Sequence, residues 1–318
     1  MTIQEIRPKN SMAILSLDVD CTGEYLVVGQ SFSYVGSPPN HVGLPNLTLW
    51  SLSNLQLLHE IESLQNESIQ SVCFLSDGKT IAYTKSGSNV ELYHLETSIF
   101  SQLNIAGFAK LSASKGSHYL GAAGIASEVW NTETQERIWF LQDYVAMDIF
   151  DQKPAPVTLS ADGELVAVAG AGVNQVLIYS LEHDQIVQRL EDSPSQAHWI
   201  SMSPDSNYIA VIGHLAKGDY IWDLRSGERH LPLIYLSESD GSWCLCFHPN
   251  SQYLAIGSLV GYVSIYRLSD GETIFSQRKH EGRVWDLVFT PDGKKLISGG
   301  DDGIVSILNV SDILQTGN

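Results

Sequence analysis

Basic residues are scarce. The 318-residue chain has 18 Lys plus Arg against 36 Asp plus Glu, a net charge of −18 with His neutral. Nucleic-acid affinity comes mainly from clustered Lys and Arg on phosphates, so no nucleic-acid partner is expected. A basic partner surface is easier to accommodate. Long apolar runs are missing too. No stretch approaches the roughly 20 apolar residues of a membrane span. The N-terminal MTIQEIRPKNSMAILSL has no apolar run behind a basic region, as a secretory signal would. A cytoplasmic location and no membrane partner are therefore expected. Cysteine is sparse: Cys21, Cys73, Cys244 and Cys246 form no CxxC pair and have no His at zinc spacing. Buried, reduced thiols and no metal are expected.

No cofactor motif survives inspection. Asp18-Val19-Asp20-Cys21-Thr22-Gly23 starts like a calcium loop, but the twelfth position is Gly29 where a bidentate Glu is needed. Gly170-Ala171-Gly172 lacks the following helix that would make an anion site, and a hairpin turn explains it better.

What the chain does have is turn chemistry. His280 to Val310 reads HEGRVWDLVFTPDGKKLISGGDDGIVSILNV. Three β-type runs are separated by Pro291-Asp292-Gly293 and by Asp302-Gly303, and Gly takes φ > 0 in such turns without steric cost. Weaker copies run along the whole chain. Their third runs end at Leu49-Trp50, Leu92-Tyr93, Val129-Trp130, Ile178-Tyr179, Ile221-Trp222, Ile265-Tyr266 and Ile307-Leu308, roughly 43 residues apart. A fourth run follows five of the seven endings. Four strands in a repeat of this length is the pattern of a propeller blade.

These features resemble the WD-repeat family of β-propellers, most clearly in Ile221-Trp222-Asp223-Leu224 with Ser226-Gly227 and in the final copy. The resemblance implies an all-β, seven-bladed propeller of four antiparallel strands per blade. Residues 1–10 would supply a closing strand, with Thr2 to Arg7 completing the last blade. The blades would be 11–61, 62–103, 104–141, 142–190, 191–235, 236–276 and 277–318 of one domain. The family's His, Ser or Thr, Asp and Trp tetrad is matched by His280, Ser298 and Asp302, with Leu308 in place of Trp. The first three mimic a hydrolase triad, but no nucleophile elbow or oxyanion-hole motif accompanies them. A structural brace is expected and no catalytic residue is assigned.

Function in repeat proteins sits where the copies differ. Gln30 to Pro45 is an insertion holding Phe32, Tyr34 and His41. Gln142 to Pro156 carries Tyr144 and Phe150 among acids, and Gly213 to Asp219 holds His214 and Lys217. By the family topology all three reach the top face. The same face should present Arg283, Trp285 and Asp301, with Trp243, His198, Gln70 and Leu15 aligned to Trp285. Trp243 and Trp285 then make either an exposed aromatic strip beside Arg283 or wedge packing between blades. The expected function is a non-enzymatic platform or adaptor subunit that binds a protein or peptide, possibly basic, across the channel mouth. The alternative is a propeller enzyme or small-molecule sensor at that mouth, with His198, His214, Asp240 and Asp286 converging.

Overall fold

The structure is a computed structural model that describes residues 3–9, 12–31, 46–62, 67–85, 89–105, 110–124, 126–141, 156–169, 174–194, 197–213, 219–232 and 241–316. After β1 (Ile3–Ile6), the strands fall into seven antiparallel sheets of four. Blade one is β2 (Ile14–Val19), β3 (Tyr25–Gln30), β4 (Leu47–Ser51) and β5 (Leu57–Glu62). Blade two is β6 (Ile69–Phe74), β7 (Thr80–Lys85), β8 (Val90–His94) and β9 (Ile99–Leu103). Blade three is β10 (Lys110–Ala113), β11 (Tyr119–Ala123), β12 (Ser127–Asn131) and β13 (Glu136–Leu141). Blade four is β14 (Val157–Leu159), β15 (Leu165–Ala169), β16 (Gln175–Ser180) and β17 (Gln185–Glu191). Blade five is β18 (Ala197–Met202), β19 (Tyr208–Gly213), β20 (Tyr220–Asp223) and β21 (Arg229–Pro232). Blade six is β22 (Ser242–Phe247), β23 (Tyr253–Ser258), β24 (Tyr262–Arg267) and β25 (Thr273–Arg278). Blade seven is β26 (Val284–Phe289), β27 (Lys295–Gly300) and β28 (Val305–Asn309), finished by β1. Six blades thus carry their own fourth strand, one more than the sequence pattern reveals.

The predicted closure is present. Ile3 faces Leu308, Gln4 faces Ile307, Glu5 faces Ser306 and Ile6 faces Val305. Ile6 is 2% exposed and joins Ile14, Leu17, Val305 and Ile307 between blades seven and one. Comparable apolar clusters fill the other spaces between blades. Both faces of each blade are therefore covered, which removes the need for polar–apolar alternation. In β23 all six residues are buried. A short helix, α1 (Ser311–Thr316), packs Ile313 and Leu314 on the cluster between blades six and seven. Among the described residues no helix is long and apolar enough to cross a membrane.

The turns from first to second strand share one design. In the last blade Thr290 Oγ1 donates to Asp292 Oδ1 at 2.6 Å, and Asp292 accepts from Lys294 N at 3.0 Å. Ser203 with Asp205 and Ser160 with Asp162 do the same. The residue after the Asp takes positive φ: 69° at Gly293 and 55° at Ser206. Asp20, the supposed calcium ligand, belongs to this class: its carboxylate accepts from Thr22 N, Glu24 N and Tyr25 N. Among the described residues no group of side chains is arranged to hold a metal. Cys21 lies in that turn and is exposed, so the expectation of four buried thiols fails there; Cys73 and Cys244 are buried and Cys246 is partly so.

One irregularity positions the candidate site. The ladder between first and second strands slips by one residue in five blades, at Ile14/Ser16, Ile69/Ser71, Ala197/Trp199, Ser242/Cys244 and Val284/Asp286. The unpaired residues are Leu15, Gln70, His198, Trp243 and Trp285. A bulge residue is released from the pleat and its side chain is re-aimed.

Candidate binding face at the propeller mouth

The bulge residues are the five that align with Trp285 in the sequence. The structure brings three of them together. The His198 ring lies 4.8 Å from that of Trp243, and His198 Nε2 donates to the Trp243 carbonyl at 3.0 Å. Trp243 meets Trp285 edge to face, with centroids 5.4 Å apart at 86°. Gln70 occupies the equivalent bulge of blade two, exposed, with blade one between it and Trp285. The corresponding positions of blades three and four lie outside the described residues. So do Phe32, Tyr34, His41, Tyr144, Phe150, His214, Lys217 and Asp240.

Arg283 completes the row. Its guanidinium carbon is 4.0 Å from the Trp243 ring centre and 4.4 Å from that of Trp285. Each indole face attracts the cation, worth about 0.5–1 kcal/mol at an exposed site. Asp301 sets the geometry: Oδ1 accepts from Trp285 Nε1 at 2.6 Å, and Oδ2 accepts from Arg283 N at 2.8 Å. Trp243 is 9% exposed, whereas Trp285 is partly open. The two tryptophans are thus unequal: Trp243 is mainly a wedge between blades, and Trp285 with Arg283 forms the accessible part.

Beside this row His280 is buried. Its Nδ1 is 3.1 Å from Asp302 Oδ1 and its Nε2 is 2.7 Å from Ser298 Oγ. Burial pushes the Asp302 carboxyl up, but His280 and the amides of Glu281 and Ile304 hold it below the usual range. The group ties the link between blades six and seven to the turn between β27 and β28, as a brace does. Leu308, where the fourth member would stand, is buried in the apolar core. In blade six Val260 stands where the turn Asp would be, and the carbonyl of the following Gly261 accepts from Lys279 N and His280 N at 2.8 and 3.1 Å. Gly261 has φ of 93°, and a Cβ there would sit 2.0 Å from the His280 carbonyl oxygen, so only glycine fits.

Below the mouth, alternate inner-strand residues line a channel of about 210 Å³. Several reach across to the next blade. Asp286 Oδ2 accepts from Ser16 Oγ and Leu17 N at 2.9 and 3.0 Å. Ser16 Oγ accepts from Val72 N, and Ser71 Oγ from Leu111 N, both at 3.1 Å. Asp18 takes Phe74 N and the Lys115 ammonium, each at 2.8 Å. Lys110 lies over the Trp199 ring, whose Nε1 donates to the Leu245 carbonyl at 3.0 Å. Burial pulls the Lys110 ammonium down to about 7 against the pull of Asp286, and burial raises Asp286 to about 6 against Lys110 and its hydrogen bonds. Sequence reasoning named Asp286 but missed Lys110, Lys115 and Trp199. The pairing of a blade-three lysine with a blade-five tryptophan leaves no local signal.

Fold and site together define a seven-bladed β-propeller with an aromatic and basic row at its mouth. The WD domain, G-beta repeat family matches residues 232–266 and 271–309. In its repeats the chain is similar to WD-repeat proteins. It is 26% identical over 164 residues to WD repeat-containing protein SL1-17 of Schistosoma mansoni, covering 49% of this chain and 50% of that protein. Over 121 residues it is 26% identical to the WD repeat-containing protein 3 homolog of Dictyostelium discoideum, 38% of this chain and 12% of that one. Over 101 residues it is 37% identical to human apoptotic protease-activating factor 1, 32% of this chain and 8% of the relative. The matches thus span half or less of these relatives' length.

Proposed function

We propose that the chain is a non-catalytic interaction platform that holds a protein or peptide segment over the propeller mouth at the seam of blades six and seven. The carrying observation is Arg283 set in the corner formed by Trp243 and Trp285, with Asp301 fixing both the arginine backbone and one indole. Trp and Arg dominate protein interfaces because they combine large contact area with directed hydrogen bonding. Membership of a larger assembly is part of the reading; one relative is named nuclear pore complex protein nup43 of Dictyostelium discoideum. A cytoplasmic location is supported by the four unpaired thiols. The acidic balance supports a partner other than nucleic acid. Against catalysis stands the burial of His280, which leaves its ring no route to a substrate. The small-molecule alternative draws support from the channel, where Lys110 is held over Trp199 near Asp286.

The test is affinity capture with tagged full-length wild type, Trp285→Ala and Lys110→Met, read by mass spectrometry beside thermal unfolding. Loss of the captured partner with Trp285→Ala alone, and a stability cost no larger than about 1–2 kcal/mol, is the expected result. Retention of the same partners by Trp285→Ala would overturn the platform site. Loss with Lys110→Met alone would move the site into the channel.

A further inference from the structure

Three cations near the mouth lack an ion-pair partner among the described residues. In a protein of net −18, the link from β25 into β26 carries Arg278, Lys279 and Arg283 within six residues. Among the described residues none of the three has a carboxylate at ion-pair distance. Arg278 Nε donates to the Val260 carbonyl at 3.2 Å, and Lys279 Nζ donates to Gln277 Oε1 at 2.7 Å. Of the nearby carboxylates, Glu281 lies in the same link but at no ion-pair distance from these cations, and Asp301 and Asp302 are engaged elsewhere. Asp301 holds Trp285 Nε1 and Arg283 N, and Asp302 holds His280, Glu281 N and Ile304 N.

Arg283 is the sharpest case. Its Nε is buried without a hydrogen bond. Its two terminal nitrogens have no protein partner among the described residues and reach solvent. Two mutually perpendicular indoles flank the guanidinium on adjacent sides, and its terminal N–H donors point in its own plane. An in-plane pair of N–H groups on a stacked guanidinium matches one chemistry above others, the planar two-oxygen edge of a carboxylate. A basic residue would meet a fixed positive charge there.

We propose that Arg283 seats a carboxylate side chain of an acidic peptide segment, laid along the link from Arg278 and Lys279 at the rim to Arg283 at the mouth. This rests on the platform reading and names its partner chemistry, which is opposite in sign to what the bulk composition suggests. The two are compatible because charges on the far blades lie beyond the roughly 8 Å screening length at physiological salt, whereas a seated carboxylate is in contact.

Fluorescence anisotropy on the full chain tests it, with labelled Gly-Ser peptides carrying a short run of Glu, the same run of Lys, or phosphoserine. The Glu peptide binds and weakens as salt rises, and the Lys peptide does not compete. Arg283→Lys keeps the charge but loses the planar fork, and weakens the Glu peptide about tenfold with the unfolding midpoint unchanged. Failure of the Glu peptide to bind, tighter binding of the Lys peptide, or equal binding by Arg283→Lys overturns the proposal. Preference for phosphoserine by more than about tenfold also overturns it, in favour of a phosphate reader. A captured partner lost with Trp285→Ala but kept by Arg283→Lys would sink this inference and leave the platform standing.

Discussion

Closure by β1 can be tested on two isoleucines of one strand. Ile6 is 2% exposed among Ile14, Leu17, Val305 and Ile307, whereas Ile3, three residues away, is 46% exposed. Truncating Ile6 to Ala removes a buried branched side chain and leaves a cavity between blades seven and one, at a cost of about 3 kcal/mol. Ile3→Ala changes mostly solvated surface and should stay within about 0.5 kcal/mol. Removing residues 1–6 altogether also strips the ladder from Val305 to Leu308 and uncovers a buried edge, so about 5 kcal/mol or more is expected. In urea unfolding followed by tryptophan fluorescence, Ile6→Ala lowers the midpoint at constant slope. For a chain this long the melting temperature falls by about 6 °C, at roughly 2 °C per kcal/mol. Equal shifts for Ile3→Ala and Ile6→Ala would refute the reasoning. So would a truncated chain that melts with the wild type, since the seam would then be held by something other than β1.

The channel and the thiols give two further predictions. Unfolded, Lys110 keeps its proton to about pH 10; folded, burial makes it give the proton up near 7. The unfolded state therefore binds the extra proton between these values, and stability rises with pH there, by about 2 kcal/mol from pH 7 to 9 after allowing for partial solvent access. Lys110→Met should abolish that rise; urea midpoints that climb equally in both proteins would refute it. Cys21 is exposed, while burial pushes the Cys73 thiol up to about 12 and raises Cys244 and Cys246. A disulfide reagent should titrate one fast thiol in the native chain, absent in Cys21→Ser, and four in urea; a fast thiol that persists in Cys21→Ser would refute the assignment.

The propeller is legible because its signals are local and repeat. Pro291-Asp292-Gly293 states a turn within three residues, and the apolar run of Tyr253 to Ile256 states a strand covered on both faces. The bulges are not legible, because a register slip is a relation between two strands. Alignment of the repeats alone still found the column of Leu15, Gln70, His198, Trp243 and Trp285, since each stands at the same distance before its blade's first turn. The stacking of Arg283 followed from its place two residues before Trp285. The channel charges were missed because Lys110 and Trp199 meet across the ring, and Cys21 was misjudged because its turn was taken for strand flank.

The direction of the closing strand has a mechanical consequence. β1 runs antiparallel to β28, and Ile3 lies opposite Leu308, at the end of the ladder nearest α1. A load applied between residue 3 and residue 316 would not shear all four rungs at once. It would open them singly, starting from Ile3 and Leu308, and each rung would yield before the next took the strain. The covalent ring is broken at one place only, and that place is a zip whose tab is exposed Ile3 and whose last tooth is buried Ile6.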